Sequence, residues 1–355
     1  MNPDRPQTET PKHPEIRLSD TTRNPLTLQG FLFFILMAVS LVSLISGAVS
    51  IQPSEIVKIL ASRIIPLPAT WPETLASVVI DVRLPRVLAG LLIGAGLSIS
   101  GAAFQGLFRN PLVSPHILGV SAGAGFGAAL AILYFGNIAM VQLLSFLFGL
   151  IAVSMTYALS RTYRSTPVLM LVLAGIIIGA LFSAGTSLLK YVADPVNQMP
   201  SIVFWLMGSL NNVSNRDILI AGPVILAGIL GLYLIRWRIN LLNMGEEDAR
   251  ALGVHTGQIR AIIIICATFV SAAAVCISGV IGWVGLVIPH IGRILVGADN
   301  KHLLPVSALI GAIYLVAVDT VARTLMETEV PIGILTAMIG APVFAYLLRK
   351  NKPGW

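Results

Sequence analysis

The sequence predicts an all-α, polytopic helical membrane protein with about ten transmembrane helices. Three observations carry that prediction. The 355 residues are 56% hydrophobic and 11% charged, with a mean hydropathy of +0.87, far above that of a soluble domain. The charged side chains gather in short segments between apolar runs of about twenty residues, the length that crosses a bilayer core. The runs are too long and too continuously apolar for the alternating strands of an outer-membrane barrel, which leaves helices as the spanning element.

Residues 1–28 are polar, hold five prolines and show no apolar period, and read as a disordered cytoplasmic tail. The first apolar run, 29–51, is longer than a signal-peptide core and lacks a clear cleavage site. Segment 52–82 mixes Pro53, Pro66, Pro68, Trp71 and Pro72 with Glu55, Glu73 and Asp81; it reads as an interfacial excursion with one short helix. Further runs follow at 84–108, 115–135, 139–160, 167–189, 217–235, 257–281, 282–297, 303–325 and 331–348, so that 29–350 forms one transmembrane domain. The run at 282–297 is short and interrupted by Pro289, and 200–210 is a further piece short enough for a partial or re-entrant helix.

Threading ten spans with the N-terminus inside leaves seven basic residues on the outer face: Lys58, Arg63, Arg83, Arg86, Lys190, Arg216 and Arg323. The other sixteen of the 23 Lys and Arg fall on the inner face, and the positive-inside rule therefore places both termini in the cytoplasm. The net charge of +7 is spread over loops without interleaved aromatics, which argues against nucleic acid as a partner.

Glycines recur at helix-packing spacing at Gly90 and Gly94, at Gly119, Gly123 and Gly127, and at Gly175 and Gly179. Ile-Ser-Gly followed by Pro-His-Ile occurs at 99–101 and 115–117 and again at 277–279 and 289–291, a weak internal echo of the kind transporters carry. Cys266 and Cys276 lie ten apart in one apolar run, with no redox or zinc spacing, and read as packing residues.

Chemistry is sparse. No Gly-Lys dipeptide occurs, so the chain has no phosphate-binding P-loop and does not hydrolyse ATP itself. His13, His116, His255, His290 and His302 are scattered, and neither a metal site nor a cofactor is expected. Asp319 is the one acid clearly embedded in a span. It is a functional candidate by default, yet Arg323 four residues later can pair with it, and both readings stand. As a functional group it would suit an ion-coupled secondary transporter or an intramembrane enzyme. The polar stretch 244–258 places Glu246, Glu247 and Asp248 ahead of Arg250 and ends its charge pattern at Gly253, which predicts a short cytosolic helix: a capped connector or a docking knob.

The strings Arg83-Leu84-Pro85-Arg86, Ser100-Gly101, Gln105, Arg109-Asn110-Pro111-Leu112, Pro115 and Leu118-Gly119-Val120-Ser121-x-Gly123-Ala124 resemble the membrane subunits of type II ATP-binding-cassette (ABC) importers of the FecCD/BtuC kind. Three later strings belong to the same pattern: Gly245-Glu246-x-x-Ala249-x-x-Leu252-Gly253-Val254, Gly282-x-x-Gly285-Leu286-Val287-Ile288-Pro289-His290 and Pro331-Ile332-Gly333-x-x-Thr336-x-x-x-Gly340-x-Pro342-x-Phe344. Together they cover about residues 30–350; the longer N-terminal tail departs from the family.

The resemblance implies a BtuC-like permease in a cell inner membrane. Its expected partners are a second permease subunit, a cytosolic ABC ATPase dimer and an external substrate-binding protein that delivers iron-siderophore, haem or cobalamin. It implies that Gly245, Glu246, Ala249, Leu252 and Gly253 shape a coupling contact with the ATPase. Asn110 and Leu112, with Ser165 and Thr166, map onto a cytoplasmic gate, although Asn, Ser and Thr also cap loops without any further role. Arg83, Arg86 and Arg323 map onto docking positions for the binding protein. Arg83 and Arg86 are neighbours at the start of a helix and suit carboxylates, while membrane anchoring is the plainer reading of any one of them alone.

Overall fold

The computed structural model describes residues 24–47, 49–66, 68, 71–161, 168–244, 246–251, 253, 255–326 and 328–350. Nearly all of the tail at 1–28 lies outside them, but its last residues do not: α1 runs Pro25–Ile45. The boundary moves because Asn24 is an N-cap, its side chain accepting from the Leu26 amide at 3.2 Å, and Pro25 occupies the first turn, where a missing N–H costs nothing.

Three short pieces follow where one was expected. They are α2 (Pro53–Ala61), α3 (Glu73–Ser77) and a π-helical segment, Val78–Arg83, that runs straight into α4 (Leu84–Phe108). The remaining elements are α5 (Val120–Tyr134), α6 (Ile138–Ser160), α7 (Val168–Val192), α8 (Gln198–Met207), α9 (Asn215–Met244), α10 (Glu246–Ala251), α11 (Thr256–Ser278), α12 (Val284–Val296), α13 (Asn300–Ala322) and α14 (Ile332–Lys350). Each of the ten apolar runs holds one of these helices. Among the described residues seven of these ten are long and apolar enough to cross a membrane, while α5, α12 and α14 are shorter, as is α8, which covers most of the separate piece at 200–210.

The chain alternates between two ends. At one, Asn215 Nδ2 reaches the Ile80 carbonyl at 3.2 Å and Arg83 reaches the last carbonyls of α1. At the other, Arg109 donates to the Leu242 carbonyl and Asn240 Nδ2 to Asp299 at 2.6 Å. We call these the α2 end and the α10 end.

Helix α4 is the buried axis of the molecule. Apolar burial cannot hold helices together in lipid, so close approach through small residues must do so. A Cβ on Gly94 would strike the Gly311 backbone of α13, and one on Gly101 the Gly285 backbone of α12. Helices α5 and α6 cross the same way, Gly123 against Phe148 and Gly127 against Leu144. That register sets the start of α5 level with Ile151, about 13 Å short of the far end of α6. Residues 109–119 therefore turn back into the bundle. The 115–135 run does not become one helix because Gly119 adopts φ +84, ending a 3₁₀ turn at Pro115–Leu118. Gly175 packs on the Ile117 carbonyl, whereas Gly179 meets nothing within 4 Å.

The echo between 99–117 and 277–291 is not a structural repeat. Gly101 lies mid-helix, while Gly279 ends α11 with φ +69.

Backbone freed by the broken helices is satisfied internally, as membrane depth requires. Ser209 N donates to Ser278 O at 2.8 Å, and Ile332 N to Gly208 O at 2.9 Å. Gly208, Gly279 and Gly333 meet there so closely that a side chain on any of them would strike main chain. This joins the ends of α8, α11 and α14 in one knot.

Candidate functional site

The three arginines at the α2 end do not form an exposed patch. Arg83 is 3% exposed and Arg86 4% exposed. The reason is the C-terminus of α1, whose last carbonyls have no partner within the helix and would otherwise be left in apolar surroundings. Arg83 donates to Leu44 O at 2.7 Å, to Ile45 O at 2.9 Å and to Val49 O. Arg323 donates to Ser43 O, and to Ser43 Oγ at 2.7 Å. Two guanidinium groups thus cap one helix, at the end where the helix dipole favours cations.

Arg86 takes the carboxylates instead. Its Nε bonds Asp319 Oδ1 at 2.8 Å, and its two terminal nitrogens clasp Glu329 at 2.8 and 2.9 Å, the fork geometry that makes such pairs strong. Arg323 Nε lies 3.6 Å from Asp319 Oδ2. The embedded acid is therefore held between two cations, which settles its two readings in favour of the pair. Pairing of this kind compensates the charge that an embedded carboxylate carries at membrane depth. Glu329, whose side chain is 31% exposed, went unnoticed in the sequence because its partner lies 243 residues away.

At the α10 end, Asn110 Oδ1 accepts from Leu112 N at 2.9 Å, the local capping that Asn supplies in turns, and Leu112 is exposed. Arg109 just before them holds the left-handed conformation at φ 48 and ties this loop to α9 through Leu242 O. Ser165 and Thr166 lie outside the described residues. Gln105, buried in α4, stitches three elements: Nε2 donates to Val113 O at 3.4 Å and to Leu286 O at 3.2 Å, and Oε1 accepts from Arg293 at 3.0 Å.

The polar stretch 244–258 contains the expected short helix, α10, with Gly253 beyond it at φ +77, where glycine alone is unstrained. Ala249 is 0% exposed, so it does not belong to an outer docking face; it seats α10 on its own chain. Asp248, Ala251, Gly253 and His255 are exposed. Gly245 and Leu252 lie outside the described residues, as does the side chain of Glu246. Behind the helix, a cleft of about 320 Å³ opens between α9 and α11, lined by Trp237, Arg238, Gly253 and His255 among others.

Nearby, Asp299 caps α13 through the Lys301 amide at 2.9 Å and accepts from Asn240 at 2.6 Å. Partial burial pushes its carboxyl up, but the Lys301 N–H, the Asn240 amide and the neighbouring cations outweigh that and hold it below the usual carboxylate range.

This arrangement of packed helices, a polar knob at one end and sealed ionic contacts at the other has known counterparts. The FecCD transport family model matches residues 35–350. The molybdate import permease MolB of Haemophilus influenzae is 42% identical over 324 residues, 91% of this chain and 95% of its own. The hemin transport permease HmuU of Yersinia pestis is 37% identical over 92% of this chain and 97% of its own. The cobalamin import permease BtuC of Halobacterium salinarum is 44% identical over 81% and 77%. A solved structure of a metal-chelate type ABC transporter in an inward-facing conformation superposes with a TM-score of 0.83 at 40% identity, covering 92% of this chain and all of that one.

The chain belongs to the FecCD transport family. It is a polytopic permease subunit of an ABC importer, not an enzyme, and in such importers ATP is hydrolysed by a separate ATPase subunit.

Proposed function

We propose that this permease moves a metal-containing cargo, either a chelate such as iron-siderophore, haem or cobalamin, or the oxyanion molybdate. It works as a pair of permease chains in an inner membrane, with two cytosolic ATPases and an external binding protein. The observation that carries this reading is that relatives matching almost end to end are a molybdate and a hemin permease, with a metal-chelate type transporter as structural neighbour. The α10 end is the cytoplasmic one on the charge bias. Helix α10 is the knob that meets the ATPase, through exposed Asp248 and through Gly253 just beyond the helix, and the contact draws on Gly245, Glu246 and Leu252 as the resemblance implies. Asn110 and Leu112, with Ser165 and Thr166, flank the inner gate. At the other end the binding protein meets the segment around Leu325 and Met326, both exposed, which the Arg86–Glu329 pair holds in place.

The test is uptake into vesicles carrying the permease, its ATPase and its binding protein, offered molybdate, a ferric siderophore, haem and cobalamin in turn. ATP-dependent accumulation of one of them is expected. Uptake of a cargo driven by an ion gradient, with the ATPase absent, would sink the reading.

A further inference from the structure

A second feature of the α2 end lies apart from the arginine cluster. Between α6, α9 and α11 lies a cleft of about 560 Å³, open toward the outside of the bundle. Leu143, Phe146, Ile220, Val224 and Ile277 make its walls apolar, while its polar lining, Gln142, Asn212, Ser214, Arg216 and Asp217, lies toward the α2 end. The polarity is therefore graded along one direction.

Its length matches one leaflet. Arg216 to Val224 is eight residues of helix, about 12 Å of rise, against roughly half of a 30 Å hydrocarbon core. Beyond it the Phe146 and Phe269 rings, 6.1 Å apart, separate this cleft from a second one of about 430 Å³ further along α6 and α11.

The charge at the mouth is specific. Arg216 is exposed and makes no ion pair among the described residues. The neighbouring acid, Asp217, also lines the cleft, but it is buried and its carboxylate is committed to hydrogen bonds within the cleft lining rather than to Arg216. Its Oδ1 accepts from Gln142 Nε2 at 2.8 Å, and its Oδ2 from Ser214 N and Oγ, each at 2.8 Å. An uncommitted guanidinium above an apolar slot of leaflet depth has the two-part chemistry of a phospholipid, a phosphate above an acyl chain.

We propose that this cleft is a resident site for an anionic phospholipid, with an acyl chain between α6, α9 and α11 and the headgroup phosphate at Arg216. Such a lipid would fill the recess between helices that apolar burial alone does not draw together. The inference does not depend on which cargo is carried or on the ATPase.

The test is native mass spectrometry of the full purified chain, exchanged against phosphatidylglycerol or phosphatidylcholine with identical chains. One tightly held phosphatidylglycerol per chain is expected, retained about fivefold better than phosphatidylcholine, the scale of one basic residue acting on an anionic lipid. Arg216→Gln should bring the two lipids level. Leu143→Trp, at an exposed position of the cleft wall, should lower retention of both while the chain keeps its melting behaviour. Equal retention of the two lipids by the wild type, or a phosphatidylglycerol preference that survives Arg216→Gln, would overturn the site. So would displacement of the lipid by glycerol phosphate, which has the headgroup chemistry without the chains.

Discussion

Asp319 is 1% exposed, and replacing it with Asn would leave Arg323 buried without its carboxylate partner and Arg86 with Glu329 alone. Breaking a buried pair from one side costs about 3–5 kcal/mol, so the Asp319→Asn permease should melt well below the wild type in detergent. Glu329→Gln, at a partly solvated position, should cost clearly less. If the two variants melt alike, the cluster is not organised around Asp319. Gly101→Ala tests a steric contact rather than an ionic one. Its Cβ would strike Gly285 backbone, and overpacking of that kind costs about 1–3 kcal/mol, whereas Gly179→Ala meets open space and should leave melting unchanged or slightly raised. Asp299 supplies the pH-dependent case. Its carboxyl is held below the usual range, so the stability it adds is present above the unfolded value near 4 and is lost as pH falls through the lower folded value. Asp299→Ala should cost about 1 kcal/mol at pH 7 through loss of the cap, and the gap to wild type should close in melts taken at strongly acidic pH.

At the scale of the element, α10 is the piece whose buried and exposed faces can be tested separately for the proposed ATPase contact. Ala249→Glu would force a charge against α9 and α11 and should both lower the melting temperature and lose the ATPase. Asp248→Arg, on the exposed side, should lose the ATPase while the melt stays put; co-purification with the ATPase after each change decides it. The spanning elements were legible in the sequence because each is set by local composition and length, and so was α10, whose acid-to-base order and terminal glycine are contiguous. What was not legible depends on distant partners. The arginines at 83, 86 and 323 looked free because the carbonyls of Ser43, Leu44 and Ile45 and the carboxylate of Glu329 come from other parts of the chain. Ala249 looked like part of a docking motif because a motif does not reveal which face turns inward. The start of α5 was misplaced because one left-handed glycine inside an apolar run leaves hydropathy unchanged.

For the molecule as a whole, both described termini lie at the α10 end, the end we propose as cytoplasmic from the charge bias. After Cys266 and Cys276 are replaced by Ala, a single cysteine at Ser54 should react with an impermeant reagent on intact cells, and one at Arg349 should not. The opposite pattern would invert the molecule. The place where Gly208, Gly279 and Gly333 touch also shapes what the fold can tolerate. Main chain rests there on main chain, so nothing in the joint depends on the chemistry of a side chain. Residues lining the neighbouring helices can therefore be exchanged for larger, smaller or more polar ones while α8, α11 and α14 stay coupled. One scaffold can then hold a lining of very different size and polarity, the joint staying fixed by main chain alone.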